Sequence, residues 1–276
     1  MHVIIIANSK KENAGETAAA IQALLAKESA VFSVYEYAYA GDYPREALLR
    51  ADYIIAVGGD GTIIHTAKLA ASLQKPILGV NAGRLGFVAS LESAEIAEIH
   101  NIPQGDFETE KRMMLQAEVM RGEKTETIYA LNDIVVSGEL SKIIDYTLSV
   151  DGNRDYSYRA DGVIISTPTG STAYALSAGG PVIAPSMQCI EYTPICPHSL
   201  FNRSIIFEEH SVLTLTTVSG HAGKMYMTAD GEAPIELLSG DNIRFSKAPL
   251  YAQFLHPCKK NFYDILNRKL IGTENR

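Results

Sequence analysis

Positive charge is in short supply in this chain. It carries 24 Lys and Arg against 32 Asp and Glu, for a formal net charge of −8 and a pI near 5.4. That deficit argues against a general nucleic-acid or anionic-membrane surface, which needs a basic face. It does not argue against a small anion held by local dipoles. Cysteine is scarce too: Cys189, Cys196 and Cys258 are odd in number and form no CxxC pair, so free thiols in the cytosol are expected. No apolar run approaches the roughly 20 residues of a spanning helix. Residues 1–8 are too briefly apolar for a signal region and have no basic leader. The expectation is a soluble, cytoplasmic protein. The seven histidines show no HxxxH or HxH spacing, which disfavours a transition-metal site, and His198 between Pro197 and Ser199 reads as structural. Two nucleotide fingerprints are absent: G-x-x-x-x-G-K-[ST], and a G-x-G-x-x-G after the first strand. There is no internal repeat and no low-complexity tract.

What is present is ordinary in bulk. With 276 residues, 46% of them hydrophobic and 20% charged, the chain has enough material for one or two domains with a full core. Its first hundred residues alternate in texture. Short β-branched runs at 3–7, 31–35, 54–57 and 76–80 read as strands, and 15–27, 44–51 and 62–73 read as helices. Alternation at this spacing predicts crossover units and a mostly parallel sheet. Beyond about residue 105 the pattern becomes mainly β, with runs at 114–119, 126–130, 143–150, 156–159, 163–166, 212–218, 224–228, 235–238 and 243–245. Asp151-Gly152 and Asp230-Gly231 sit between such runs as hairpin signals. The fold expected is an α/β domain over 1–105 and an all-β, sandwich-like domain over 106–255. A terminal helix within 256–276, centred on 261–269, would pack back on the first domain.

Two stretches carry chemistry. Gly58-Gly59-Asp60-Gly61-Thr62 leaves a predicted parallel strand through three glycines and one carboxylate, then enters a helix. Open α/β sheets place ligands at that end of their strands. The helix start offers free N–H groups and a positive dipole end to phosphate, and glycines admit it to the backbone. Asp60 could then orient a hydroxyl or accept its proton; the plainer alternative makes it a helix N-cap. The second stretch runs from Asp161 through Ser166-Thr167-Pro168-Thr169-Gly170-Ser171-Thr172-Ala173-Tyr174, again strand, turn and helix start. Thr169, Ser171 and Thr172 offer hydroxyls suited to base edges and ribose oxygens, or simply cap the turn. Asn132-Asp133 and Asp230 read by themselves as turn residues.

Taken together these segments resemble the NAD kinase family. The motifs are Gly58-Gly59-Asp60-Gly61-Thr62, Gly79-Val80-Asn81-Ala82-Gly83-Arg84-Leu85-Gly86-Phe87, Leu131-Asn132-Asp133 and the block 161–181. Thr193-Pro194-Ile195-Cys196-Pro197-His198-Ser199, Asn202-Arg203 and Asp230-Gly231 complete them, so the resemblance spans about 54–245. It implies phosphorylation of the 2′-hydroxyl on the adenosine ribose of NAD, with ATP or polyphosphate as donor and Mg2+ or another divalent cation as cofactor. It also implies a site between the domains, completed by a neighbouring subunit of a dimer or tetramer. By motif matching, Asp60 is the base or orienting carboxylate within the phosphate loop Gly58, Gly59, Asp60, Gly61 and Thr62. Gly61 and Phe87 would line the acceptor pocket, and Asn132 and Asp133 would hold adenosine. Arg159, Asp161, Thr169, Thr172, Ala173, Tyr174, Ser177 and Cys196 would contact NAD, Asp161 across the subunit contact. Asp230 would stand near the phosphates or their metal, for which no protein ligands are assigned. The chain departs from many relatives at Ala89-Ser90 and in having Asp133 where they carry the longer Glu.

The chemistry fits the residues independently of the family. Phosphoryl transfer has a loose transition state, so positioning and charge neutralisation dominate. A free carboxylate is a weak base toward a ribose hydroxyl, so orientation counts for more than proton abstraction. One rival, a lipid kinase with the same phosphate loop, calls for an apolar cleft and a membrane-docking surface; neither is visible, and block 161–181 would go unexplained. Another rival is a sensor that binds NAD or NADP without turnover, which the presence of Asp60 disfavours.

Overall fold

The computed structural model describes residues 1–11, 13–27, 31–37, 45–83, 86–199, 202–218 and 224–271. Pro44 of the predicted second helix, and Arg84 and Leu85 of the glycine-rich motif, lie outside the described residues. The chain divides into two compact units: Met1–Arg112 together with Ala252–Arg276, and Met113–Tyr251. The first unit is therefore discontinuous in sequence.

In the first unit, strands β1 (His2–Asn8), β2 (Val31–Tyr37), β3 (Tyr53–Gly58) and β4 (Ile77–Asn81) pair in the order β2-β1-β3-β4, all parallel. Helices α1 (Ala14–Lys27), α2 (Arg45–Arg50) and α3 (Asp60–Ser72) are the crossovers. Every residue of β3 is buried, as a strand covered on both faces requires. One core cluster joins Val3, Ile5, Ile55, Val57, Leu78 and Val80 to Ala18, Ile21 and Leu25 of α1, the helical spacing read from the sequence. The short strand β5 (Leu91–Glu92) adds to β4 and leads into a 3-10 helix, Ser93–Asn101.

The second unit is antiparallel throughout. Its strands are β6 (Glu108–Arg121), β7 (Lys124–Ala130), β8 (Asp133–Gly138), β9 (Ile144–Val150), β10 (Tyr156–Ala160) and β11 (Gly162–Ser166). After a 3-10 turn (Gly170–Thr172) and the four-residue helix α4 (Tyr174–Ser177) come β12 (Cys189–Ile195), β13 (Ile205–Glu208), β14 (Leu213–Thr217), β15 (Met225–Ala229), β16 (Ile235–Leu237) and β17 (Asn242–His256). One sheet runs β13-β12-β11-β8-β15-β16, and facing it are β10-β9-β14-β17 and the β6–β7 pair. Alternate residues of both layers, among them Leu115, Ile134, Val163, Tyr192, Leu213 and Phe245, fill the sandwich core. The buried Tyr146 and Tyr192 hydroxyls meet at 2.8 Å and tie the layers together. Both predicted hairpins form, with Asp151 and Gly152 at φ 53° and 68° and Asp230 and Gly231 at 52° and 70°.

The chain passes between units inside β6 and again inside β17. Beyond β17, Asn261 caps α5 (Phe262–Leu266), its Oδ1 accepting from Tyr263 N at 2.9 Å, and a π-helical turn follows (Asn267–Ile271). This terminal segment belongs to the first unit, as the sequence predicts. No helix among the described residues is long and apolar enough to cross a membrane.

Candidate active site

On the first unit the site is built where β3 ends. Gly58 is the last residue of the strand, Gly59 takes the N-cap position and Asp60 is already the first helical residue, two positions earlier than the periodicity predicts. No side chain caps this helix. Asp60 therefore does not serve its own helix. Its carboxylate turns to the loop after β4, where Oδ2 accepts from Phe87 N at 3.0 Å and Oδ1 from Val88 N at 3.4 Å. Gly86 permits this approach: a Cβ there would overlap Asp60 Oδ1. The side chain stays 30% exposed, so it is oriented from one side and accessible from the other. Thr62 is fixed beneath the loop by Asn8, whose Nδ2 donates to Thr62 Oγ1 at 2.9 Å. Gly61 has nothing within contact distance of a Cβ position, leaving the first turn of α3 open. An uncapped helix start lined by glycine is a place for phosphate oxygens.

The sequence motifs do not contain Lys269, which comes from the π-helical turn. Its Nζ lies 3.7 Å from Asp60 Oδ2 and 3.9 Å from the centroid of the Phe87 ring.

On the second unit the candidate residues gather on one face of the β13-β12-β11-β8-β15-β16 sheet. Asp133, Ser166 and Glu191 sit side by side across β8, β11 and β12, since Ser166 pairs with both others. The loop after β11 folds over the turn at Leu131 and Asn132. Thr167 Oγ1 donates to Leu131 O at 2.6 Å and Thr167 N to Asn132 O at 2.8 Å. Gly170 is required there, because a Cβ would run into the Asn132 carbonyl. From the other side the Asp230 carboxylate accepts from Leu131 N (2.9 Å), Asn132 N (2.8 Å) and Asp133 N (3.2 Å). Those three donors account for how Asp230 shapes the turn. Asn132 Oδ1 is left buried without a hydrogen-bond partner among the described residues.

Asp133 is buried, and its carboxyl accepts from Tyr174 N at the start of α4. Burial, reinforced by Asp230 and Glu191, pushes its pKa up to about 7 against that hydrogen bond. Thr169 is buried; Thr172 and Ala173 are half-buried, and Tyr174 and Ser177 are exposed on α4. Ser171 is fully buried and holds Ile183, accepting from Ile183 N at 3.0 Å, so its hydroxyl serves the loop. Asp161 is half-buried. Arg159 is exposed and pairs with Asp145 at 2.8 Å, and Cys196 is exposed at φ 45°. These three lie at the ends of β10, β11 and β12 beyond Gly162, away from the Asp133–Ser166–Glu191 row along the strands.

Glu191 was not singled out in the sequence. It has no exposed surface, accepts from Thr193 Oγ1 at 2.8 Å and leaves Oε2 unpartnered. Burial raises its pKa to about 7, only partly offset by Thr193. Only the register of three strands reveals its place beside Asp133. The Asp230 contacts give a direct expectation. An Asp230→Ala variant leaves three backbone donors unpaired, so it should lose about 2 kcal/mol or more of stability. Urea unfolding checks this, and an unchanged midpoint would mean that the carboxylate does not hold the turn. Among the described residues no three His, Cys, Asp or Glu are grouped to hold a metal ion.

Known proteins resemble the chain across most of its length. Residues 40–102 match the family described as ATP-NAD kinase N-terminal domain, and residues 131–257 the ATP-NAD kinase C-terminal domain. The chain is 43% identical over 225 residues to an NAD kinase of Symbiobacterium thermophilum, covering 80% of this chain and 79% of that one. It is 42% identical over 237 residues to an NAD kinase of Geobacter sulfurreducens, covering 85% and 83%. A crystal structure of an NAD kinase from Archaeoglobus fulgidus in complex with ATP superposes with a TM-score of 0.76 at 26% identity, over 99% of this chain and 98% of that one. Yeast NADH kinase complexed with NADH shares the fold, with a TM-score of 0.85 at 23% identity over 100% and 88%. Two matched domains, identity above 40% over most of the chain, and an uncapped GGDGT helix start with its aspartate held open lead to one assignment: the chain belongs to the NAD kinase family.

Proposed function

We propose that this protein is an ATP-dependent NAD kinase, transferring the terminal phosphoryl group of ATP to the 2′-hydroxyl of the adenosine ribose of NAD to give NADP. The observation that carries the reading is Asp60, held by two backbone N–H groups on an open, uncapped helix start and still accessible. In the reaction the γ-phosphorus bonds to the ribose 2′-oxygen as its bond to the bridging oxygen breaks, and those electrons leave with ADP. The hydroxyl proton passes to Asp60 and on to solvent. Asp60 aligns the hydroxyl, while the N–H groups at residues 59–61 receive phosphate oxygens as charge spreads over them. Phe87 closes one wall.

Asn132 and Asp133 hold the adenosine, the unpartnered Asn132 Oδ1 being the acceptor for an amino hydrogen of adenine. Thr169, Thr172, Ala173, Tyr174 and Ser177 line the remainder, and Asp230 acts through the turn it organises. Arg159 and Cys196 add to the NAD contacts, and Asp161 serves NAD across a subunit contact, in a dimer or tetramer whose mass light scattering would give. A divalent cation such as Mg2+ would supply charge neutralisation for the donor's phosphates, a role for which one or two protein carboxylates suffice, and Asp60 is the partly exposed carboxylate beside the helix start. The three free cysteines fit a reducing, cytoplasmic setting.

The test is to incubate the protein with NAD, ATP and magnesium and to follow NADP with an NADP-specific dehydrogenase. NADP formation supports the proposal. NADP only when polyphosphate replaces ATP would change the donor. No NADP with either donor, despite measurable NAD binding, would overturn the reading in favour of a nucleotide sensor.

A further inference from the structure

The GGDGT loop and residues 86–88 contain no lysine or arginine, and Arg84 just before them lies outside the described residues, yet a transferring phosphoryl group needs positive charge beside it. Among the described residues, two lysines from other segments bring charge to the loop. Lys269 reaches the loop from the π-helical turn after α5, its Nζ 3.7 Å from Asp60 Oδ2 and 3.9 Å over the Phe87 ring. Lys11, from the loop after β1, lies against Gly59, its Cε 3.9 Å from where a Cβ would stand. The Lys269 ion pair is long, and its two side chains are 28% and 30% exposed, so it contributes little to stability. Docking of the terminal segment does not need it: the segment is also tied down by Lys260 to Glu95 at 2.5 Å and by Asn101 Nδ2 to Pro257 O at 3.0 Å. A partly exposed ammonium resting on an aromatic face and a carboxylate, next to an open helix start, is placed to meet phosphate oxygens.

We propose that Lys269 binds the phosphates of the donor nucleotide at the Gly58–Thr62 loop and neutralises the phosphoryl group as it transfers. This rests on the kinase reading above. In the transfer the lysine forms no covalent bond and gives up no proton; it adds charge-assisted hydrogen bonds that strengthen as negative charge builds on the equatorial oxygens. Phe87 sets the height of the ammonium, and Asp60 keeps it from folding away into solvent. The sequence hides this role because Lys269 sits in an ordinary Asn267-Arg268-Lys269-Leu270 run, far from every motif.

The test uses the full chain carrying Lys269→Met, which keeps an unbranched side chain on Phe87, and Lys269→Arg, which restores charge. Steady-state rates with varied ATP and varied NAD are read together with calorimetric binding of inorganic tripolyphosphate and of NAD. Lys269→Met is expected to lose about a hundredfold in kcat/KM for ATP and at least about tenfold in tripolyphosphate affinity. Its NAD affinity and melting temperature should match the wild type, and Lys269→Arg should recover at least about a third of the loss on a logarithmic scale. Wild-type kcat/KM for ATP in Lys269→Met would overturn the inference. So would a fall in kcat with unchanged tripolyphosphate binding, which would make Lys269 only a support for Asp60. Absence of NADP formation by the wild type itself would instead sink the function on which the inference rests.

Discussion

Asp60→Asn is expected to bind NAD as the wild type does and to turn over at no more than about one hundredth of its rate. The substitution keeps shape and volume. The asparagine carbonyl can still accept from Phe87 N, now at 3.0 Å from Oδ2, but the amide nitrogen cannot accept from Val88 N. One loop contact is therefore weakened while the β3–α3 turn stays intact, since Gly59 rather than Asp60 occupies its N-cap. What disappears is the negative charge that aligns the acceptor hydroxyl and takes its proton. Gly86→Ala should reproduce much of the loss without touching the carboxylate, because the added methyl overlaps Asp60 Oδ1 and must displace it. Initial rates of NADP formation and an NAD titration on both variants settle the matter. An Asp60→Asn protein retaining most of its activity would show that the carboxylate is dispensable.

The second large effect concerns stability and pH. Glu191 is buried with its pKa at about 7, against an ordinary value of 4.5 for an unfolded chain. Below pH 4.5 both states are protonated and the residue makes no difference. Between 4.5 and 7 the unfolded chain releases a proton that the folded chain keeps, so folding is progressively disfavoured as pH rises. Above 7 the penalty is complete, at about 3 kcal/mol. Glu191→Gln removes the ionisation and keeps a carbonyl oxygen for Thr193 Oγ1. Urea unfolding should find the variant and the wild type alike near pH 4.5 and the variant more stable by about 3 kcal/mol at pH 8. A difference that stays flat across that range would mean that Glu191 is ionised in the fold. Asp133, raised to about 7 in the same row, adds a pH dependence of the same sign.

The parts of the fold written in local pattern were legible in the sequence. Val3, Ile4, Ile5 and Ile6 can only be a buried strand, and the Asp-Gly pairs mark hairpins because both residues adopt positive φ there. Long or proline-containing strands are not legible. β12 carries Pro194 as its penultimate residue, paired with Val163, and β17 continues through an exposed Pro249, so no clear pattern marks 189–195 as strand and only 243–245 of β17 reads as one. The proposed site divides the same way. Asp60, Phe87, Asn132 and Asp133 stand in motifs, because backbone geometry there demands particular glycines and turn residues. Lys269 and Glu191 carry no such local demand; only tertiary packing and strand register give them partners.

The discontinuity of the first unit sets an order of events during translation. Residues 113–251 emerge from the ribosome as one uninterrupted stretch and can close their sandwich during synthesis, whereas the unit holding Asp60 must wait for Ala252 onward. The aspartate is made early and its lysine neighbour only after the whole of the second unit. A nascent chain stalled before residue 269 thus carries the GGDGT loop without the cation that rests against it.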